Sequence, residues 1–189
     1  MNSLARPALT PSKVLLTPLI ALALAVLGPA VPAQAACAGA AVLPAEVSSA
    51  RVHVATKCLL NDERRSQGLP PLRNNPRLMA AAGRHARDMA RRQYFDHTSP
   101  DGRSLAERIR ATGYVKPRQR WAIGENLAYG GDELSAPGEI VAEWMGGPGD
   151  RGNILSSRFR EMGFGVATAR AGDGLPARAI YVIEFGSRR

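Results

Sequence analysis

Apolar positions recur at helical spacing through the first two thirds of the globular part of the chain and change to strand-like runs in its last third. A first helix is predicted from about Val52 to Gln67. Leu59 and Leu60 anchor it, and Asn61 to Arg65 read as a charged outer face. Gly68 ends it, and Pro70-Pro71 forbids its continuation. Asn75 and Pro76 open a second helix as cap and first residue. On it Leu78, Ala82, His85 and Met89 share one face, so His85 reads as a core or boundary residue rather than a ligand. Gly83 and the many alanines predict close packing against a neighbour. Ser104 and Glu107 form the capping box of a short third helix ending at Gly113. A fourth helix runs from about Pro137 to Met145, with Ile140, Val141 and Trp144 on its apolar face.

The period then changes. Gly163 to Ala169 and Ala179 to Phe185 are rich in β-formers, and Gly172-Asp173-Gly174 between them signals a hairpin. The continuous run Ile180 to Ile183 predicts a strand covered on both faces. Helices first and a small antiparallel sheet later give an α+β domain.

Composition adds an export signal. Arg6 and Lys13 precede an apolar run from Val14 to Leu27, followed by the small-x-small site Ala33-Gln34-Ala35. Pro18 interrupts the run, which is shorter than the ~20 apolar residues of a membrane span. Residues 1–35 therefore read as a signal peptide, 36–50 as an extended segment and 51–189 as one domain, with no transmembrane anchor after cleavage. Cys37 and Cys58 are an even pair in an exported chain and predict a disulfide tying the N-terminal segment to the first helix. The 189-residue chain carries a formal net charge of +9. Its basic residues are dispersed and lack interleaved aromatics, so no nucleic-acid pattern is present. The charge suits anionic lipid or cell-envelope polymer as a partner. A monomer is expected.

Three polar segments carry the candidate chemistry. His97 precedes the turn Ser99-Pro100-Asp101-Gly102, where it can serve as general base or metal ligand. Glu125 sits in Gly124-Glu125-Asn126, which reads as a turn. Asp150 sits in a Gly/Pro-rich loop after Trp144, as a cap, an oxygen ligand or a charge partner for His97. No Gly-x-Ser-x-Gly elbow surrounds Ser99, and His53 and His85 form no His-x-x-x-His pair.

From Cys58 onward the chain resembles the bacterial branch of the secreted CAP superfamily, also called the SCP-like or cysteine-rich secretory protein family. The matching blocks are Leu59 to Arg64 with Gly68 to Leu72, Tyr94 to Gly102, Gly124 to Leu127, Trp144 to Leu155, and Tyr181 to Gly186. The resemblance implies a three-layer α-β-α sandwich. It also implies a cleft lined by histidines and glutamates, which in some members holds a divalent cation. His97 and Glu125 match cleft positions. Asp150 stands where that branch has a second histidine, and Gly147 where it has serine. His97, Glu125 and Asp150 can still bind zinc but make a harder ligand set than the family's, shifting preference toward manganese, magnesium or calcium, or toward no tight binding. Three functions follow as expectations for a secreted or envelope protein. One is a non-enzymatic module binding lipid, envelope polymer or protein. Another is a hydrolase, metal-assisted or using His97 and Glu125 as catalytic residues. The last is a structural envelope protein with a vestigial cleft.

Overall fold

Residues 37–169 and 178–188 are described by the computed structural model of the protein. The segment expected to be a signal peptide (residues 1–35) and the hairpin expected at Gly172-Asp173-Gly174 lie outside the described residues.

Helix α1 (Ser49–Ser66) starts at Ser48, whose hydroxyl accepts from the Arg51 amide. Helix α2 (Pro76–Arg92) starts at Asn75, whose side chain accepts from the amides of Arg77 and Leu78. These caps satisfy amides that have no partner inside the helix. Helix α3 (Leu105–Ala111) has the predicted reciprocal capping box of Ser104 and Glu107. Helices α4 (Pro137–Gly146) and α5 (Pro148–Ile154) each begin with proline at the first turn.

The strands are β1 (Arg73–Asn74), β2 (Trp121–Gly130), β3 (Glu161–Ala169) and β4 (Arg178–Arg188), in the order β1-β3-β4-β2. Strand β4 pairs antiparallel with both β3 and β2, as expected for the sheet. The two-residue β1 pairs parallel with β3 and makes the sheet mixed.

Alternation along β4 sorts the two faces. Tyr181, Ile183 and Phe185 join Val52, Leu59, Leu60, Ile140, Trp144 and Ile154, so α1, α4 and α5 cover one face. Ile180 and Val182 join Ala82, Ala86 and Met89 of α2 on the other. The central strand is thus buried on both faces, and the architecture is the expected α-β-α sandwich. Helix α2 lies unusually close to the sheet. A Cβ at Gly163 or Gly165 would collide with the α2 backbone at Leu78 or Ala82. The small residues of α2 and these two glycines are the two sides of one close contact. Cys37 and Cys58 are disulfide-bonded, with Cα atoms 5.7 Å apart.

Four local expectations are corrected. The segment before α1 is a series of turns rather than an extended arm. Arg64 is not on an outer face. It is fully buried and donates to the carbonyls of Pro70, Ile154, Ser156 and Phe159, tying α1 to the chain after α5. Gly124-Glu125-Asn126 is not a turn but the middle of β2, because pairing with β4 outweighs the weak strand preference of these residues. Asp150 lies in the first turn of α5 rather than in a loop. Among the described residues, no helix is long and apolar enough to cross a membrane.

Candidate functional site

Edge strand β2 organises the site. Residues directly opposite in an antiparallel pair share a face, so Glu125 and its partner Glu184 both face the α2 side. Asn126 faces the other side, where α5 lies. Gly124 lets α5 approach closely, since a Cβ there would meet the Asn153 side-chain oxygen at 2.8 Å. Asn153 uses that approach to donate to the Glu125 carbonyl (3.2 Å) and to the Asn126 side-chain oxygen (2.9 Å). Asn126 in turn donates to the carbonyl of Asp150 (3.0 Å). The Gly-Glu-Asn tripeptide therefore holds the edge strand to α5 through its asparagine and aims its glutamate at the opposite face.

On that face His97 donates Nδ1–H to Glu125 Oε1 at 2.8 Å. The bond leaves Nε2 outward on a ring whose side chain is 62 % exposed, while the Glu125 side chain is 1 % exposed. The other oxygen of Glu125 accepts from Arg108 Nη2 at 2.7 Å. Arg108 also donates through Nη1 to the carbonyls of His97 (2.7 Å) and Arg103 (3.1 Å). One guanidinium on α3 thus fixes both the buried carboxylate and the backbone of the histidine loop. From below, buried His85 bonds the Asp96 carbonyl at 3.0 Å, and burial lowers its pKa. It is a structural support of the loop, in agreement with its apolar stripe.

The Glu125 hydrogen bond raises the pKa of His97, and the negative charges of Glu125, Asp150 and Asp96 add to the effect against partial burial. Burial raises the pKa of Asp150, with His97 opposing it. Burial raises that of Glu143 too, and the Asp150 charge reinforces the rise. The charges of His97 and Asp150 thus act on each other.

Among the described residues, the one cluster of three His, Cys, Asp or Glu ligand atoms within 4.8 Å of each other is Cys37, Cys58 and Asp62. Its sulfurs are joined in the disulfide. Glu125 and Asp150 are carried on opposite sides of β2, and both Glu125 oxygens are already engaged. The Arg108 guanidinium also opposes a cation at that carboxylate. In this arrangement the ligand atoms of His97, Glu125 and Asp150 do not all lie within 4.8 Å of one another.

Arg108, Glu143 and Glu184 were not singled out from the sequence. Glu184 left a signal, since it is an acid inside an otherwise apolar run. It is fully buried, and neither carboxyl oxygen has a hydrogen-bond partner. Burial, with the nearby Glu125 charge, pushes its pKa well above the usual carboxylate range. Arg108 left less, being one arginine among many. Only the meeting of α3, the histidine loop and β2 distinguishes it.

Comparison with known proteins follows the same outline. The cysteine-rich secretory protein (CAP) family matches residues 59–185. The uncharacterized protein YkwD of Bacillus subtilis is 36% identical over 107 residues, 57% of this chain and 39% of that protein. The chain thus spans well under half the length of this relative. An outer surface protein of Borrelia burgdorferi has a similar fold, with a TM-score of 0.60 at 17% identity, covering 76% of this chain and 97% of that one. An extracellular protein of Bacillus anthracis containing an SCP domain gives a TM-score of 0.56 at 23% identity, covering 74% of this chain and 43% of that one.

Proposed function

The chain belongs to the cysteine-rich secretory protein (CAP) family, and from that premise we propose that it is an extracellular binding module. The observation that carries this reading is the double engagement of Glu125. Its oxygens are held by Arg108 and His97 in a nearly water-free position. Held in this way, Glu125 acts through His97 and has no free oxygen to offer a substrate directly. Its pairing also keeps the His97 ring protonated to higher pH than a free imidazole. A protonated His97 offers an exposed N–H and a positive charge, which suits recognition of an anionic group better than removal of a proton. Anionic lipid, envelope polymer and an acidic protein partner all fit that chemistry. With Arg6 and Lys13 removed in the expected signal peptide, the remaining net charge of +7 would strengthen their attraction. The similar folds of an outer surface protein of Borrelia burgdorferi and an extracellular protein of Bacillus anthracis support the location.

Retention of the purified protein on isolated cell-envelope material tests the reading. Retention is expected to weaken in His97→Ala, and in the native protein as pH rises through the His97 titration. Equal retention of native and His97→Ala protein at every pH would sink it.

One observation favours a general-base hydrolase as the second reading. A histidine oriented by a buried carboxylate, with its other nitrogen outward, is the base-and-orienter half of many hydrolytic sites. Ser99 is buried, so water would be the attacking group. This reading requires turnover that rises with pH as His97 loses its proton and that disappears in His97→Ala.

A further inference from the structure

Behind the histidine loop, between α2 and α3, lies a separate cavity of about 360 Å³. Arg84, Arg87 and Arg91 of α2, Arg103 of the loop and Arg108 of α3 line it, with Asp88 as the only lining carboxylate. Its volume falls within the roughly 300–1,000 Å³ common for small-molecule sites.

The charges around this cavity are not balanced by the protein. Arg91 pairs with Asp88 at 3.0 Å, Arg103 with Asp101 at 2.8 Å and Arg108 with Glu125 at 2.7 Å. Among the described residues, no carboxylate lies within ion-pair distance of Arg84 or Arg87. These two arginines are one turn apart on α2, where like charges disfavour the helix. Arg108, buried beside them, commits its two terminal nitrogens to Glu125 and to the carbonyls of His97 and Arg103, which leaves Arg84 and Arg87 as the unpaired cations of the lining. Glu184 beneath does not neutralise the cavity, because its burial favours the protonated form.

We propose that this cavity is a binding site for a phosphate ester on a small polar body, such as a glycerol phosphate or sugar phosphate. Guanidinium groups suit the ligand because their paired N–H donors match two phosphate oxygens at once. Arg84 and Arg87 supply the uncommitted forks. Arg91, Arg103 and Arg108, each paired with a carboxylate, complete the basic lining. The site is distinct from the exposed Nε2 of His97 and does not depend on the reading given for it.

Calorimetric titration of the purified protein with glycerol 3-phosphate, with inorganic phosphate as competitor, tests the assignment. Saturable binding that phosphate displaces is expected. Arg84→Ala/Arg87→Ala should weaken it about tenfold or more. Arg118→Ala/Arg120→Ala, which removes equal charge away from the cavity, should leave it unchanged. Absence of saturable binding, or equal weakening in the two double variants, would overturn the proposal. Arg84→Lys/Arg87→Lys is the second variant, keeping charge while losing the fork, and should weaken binding by an intermediate amount. Undiminished affinity in it would overturn the role given to the guanidinium groups. Phosphatidylglycerol vesicles form a parallel arm. Retention on them without any binding of glycerol 3-phosphate would overturn the cavity assignment in favour of a membrane surface.

Discussion

His97 and Glu184 give two residue-scale expectations about pH, both tied to the Glu125 carboxylate. The folded-state pKa of His97 is raised. Its stabilising contribution is therefore complete below the unfolded imidazole value of about 6.5 and fades as pH rises through the folded value. The stability difference between native protein and His97→Ala, from urea unfolding across that range, should shrink with rising pH. A constant difference would show that His97 contributes by packing alone. Glu184 also has a raised pKa, but from burial without a partner. The folded state holds its proton longer than the unfolded state, so stability should fall as pH rises above the unfolded carboxylate value of about 4.3. Glu184→Met removes both the orphaned oxygens and that slope. It should stabilise the protein at neutral pH by about 1–3 kcal/mol, read as a higher denaturation midpoint and a flatter pH dependence. A less stable variant would mean that the carboxyl has an unrecognised favourable partner.

The elements hold together through side chains that periodicity reads as surface or turn. Arg64 lies in a charged stretch of α1, yet its guanidinium meets four carbonyls, of Pro70, of Ile154 at the end of α5, and of Ser156 and Phe159 beyond it. Arg64→Met fills similar space but leaves those buried acceptors unmet. A loss of about 3–5 kcal/mol is expected, measured by chemical denaturation. A loss below ~1 kcal/mol would show that water replaces the guanidinium. Strand β2 makes the same point for a whole element. Glycine, glutamate and asparagine at its centre conceal a strand, because none favours one. Ten residues of β4 nevertheless pair with it in continuous register. The turn expected at Glu125 was therefore wrong in backbone, while its carboxylate and His97 are in contact through the 2.8 Å hydrogen bond.

Across the whole molecule, the Cys37–Cys58 disulfide fastens the turns before α1 to the face of the sheet that α1, α4 and α5 cover. Cys37 is itself buried in that core. With a sequence separation of 21 residues, the bond restricts the unfolded chain and contributes ~3 kcal/mol by the loop-entropy account. The double variant Cys37→Ala/Cys58→Ala should lose about that much in equilibrium unfolding. Loss of the N-terminal turns alone, seen as early local hydrogen exchange with an unchanged global midpoint, would instead make the bond a local fastener.

What the amino-acid sequence determined by itself is the set of elements and their kinship. Caps, helix-stopping residues and the β-rich final third are local signals. Five ordered blocks identify the family, and the even cysteine pair anticipates the disulfide. The substitution of Asp150 for the family's second histidine was equally visible. Only the tertiary structure decided what these residues face. It put Glu125 and Asn126 on opposite sides of an edge strand and carried Asp150 on the far side. It also brought Arg108 from another helix to the shared carboxylate and gathered dispersed arginines around one cavity. The physical reason is that backbone preference and hydrophobic period act over a few residues. Charge pairing and desolvation depend on distances between segments far apart in the chain, and those exist only once the sheet and its helices have packed.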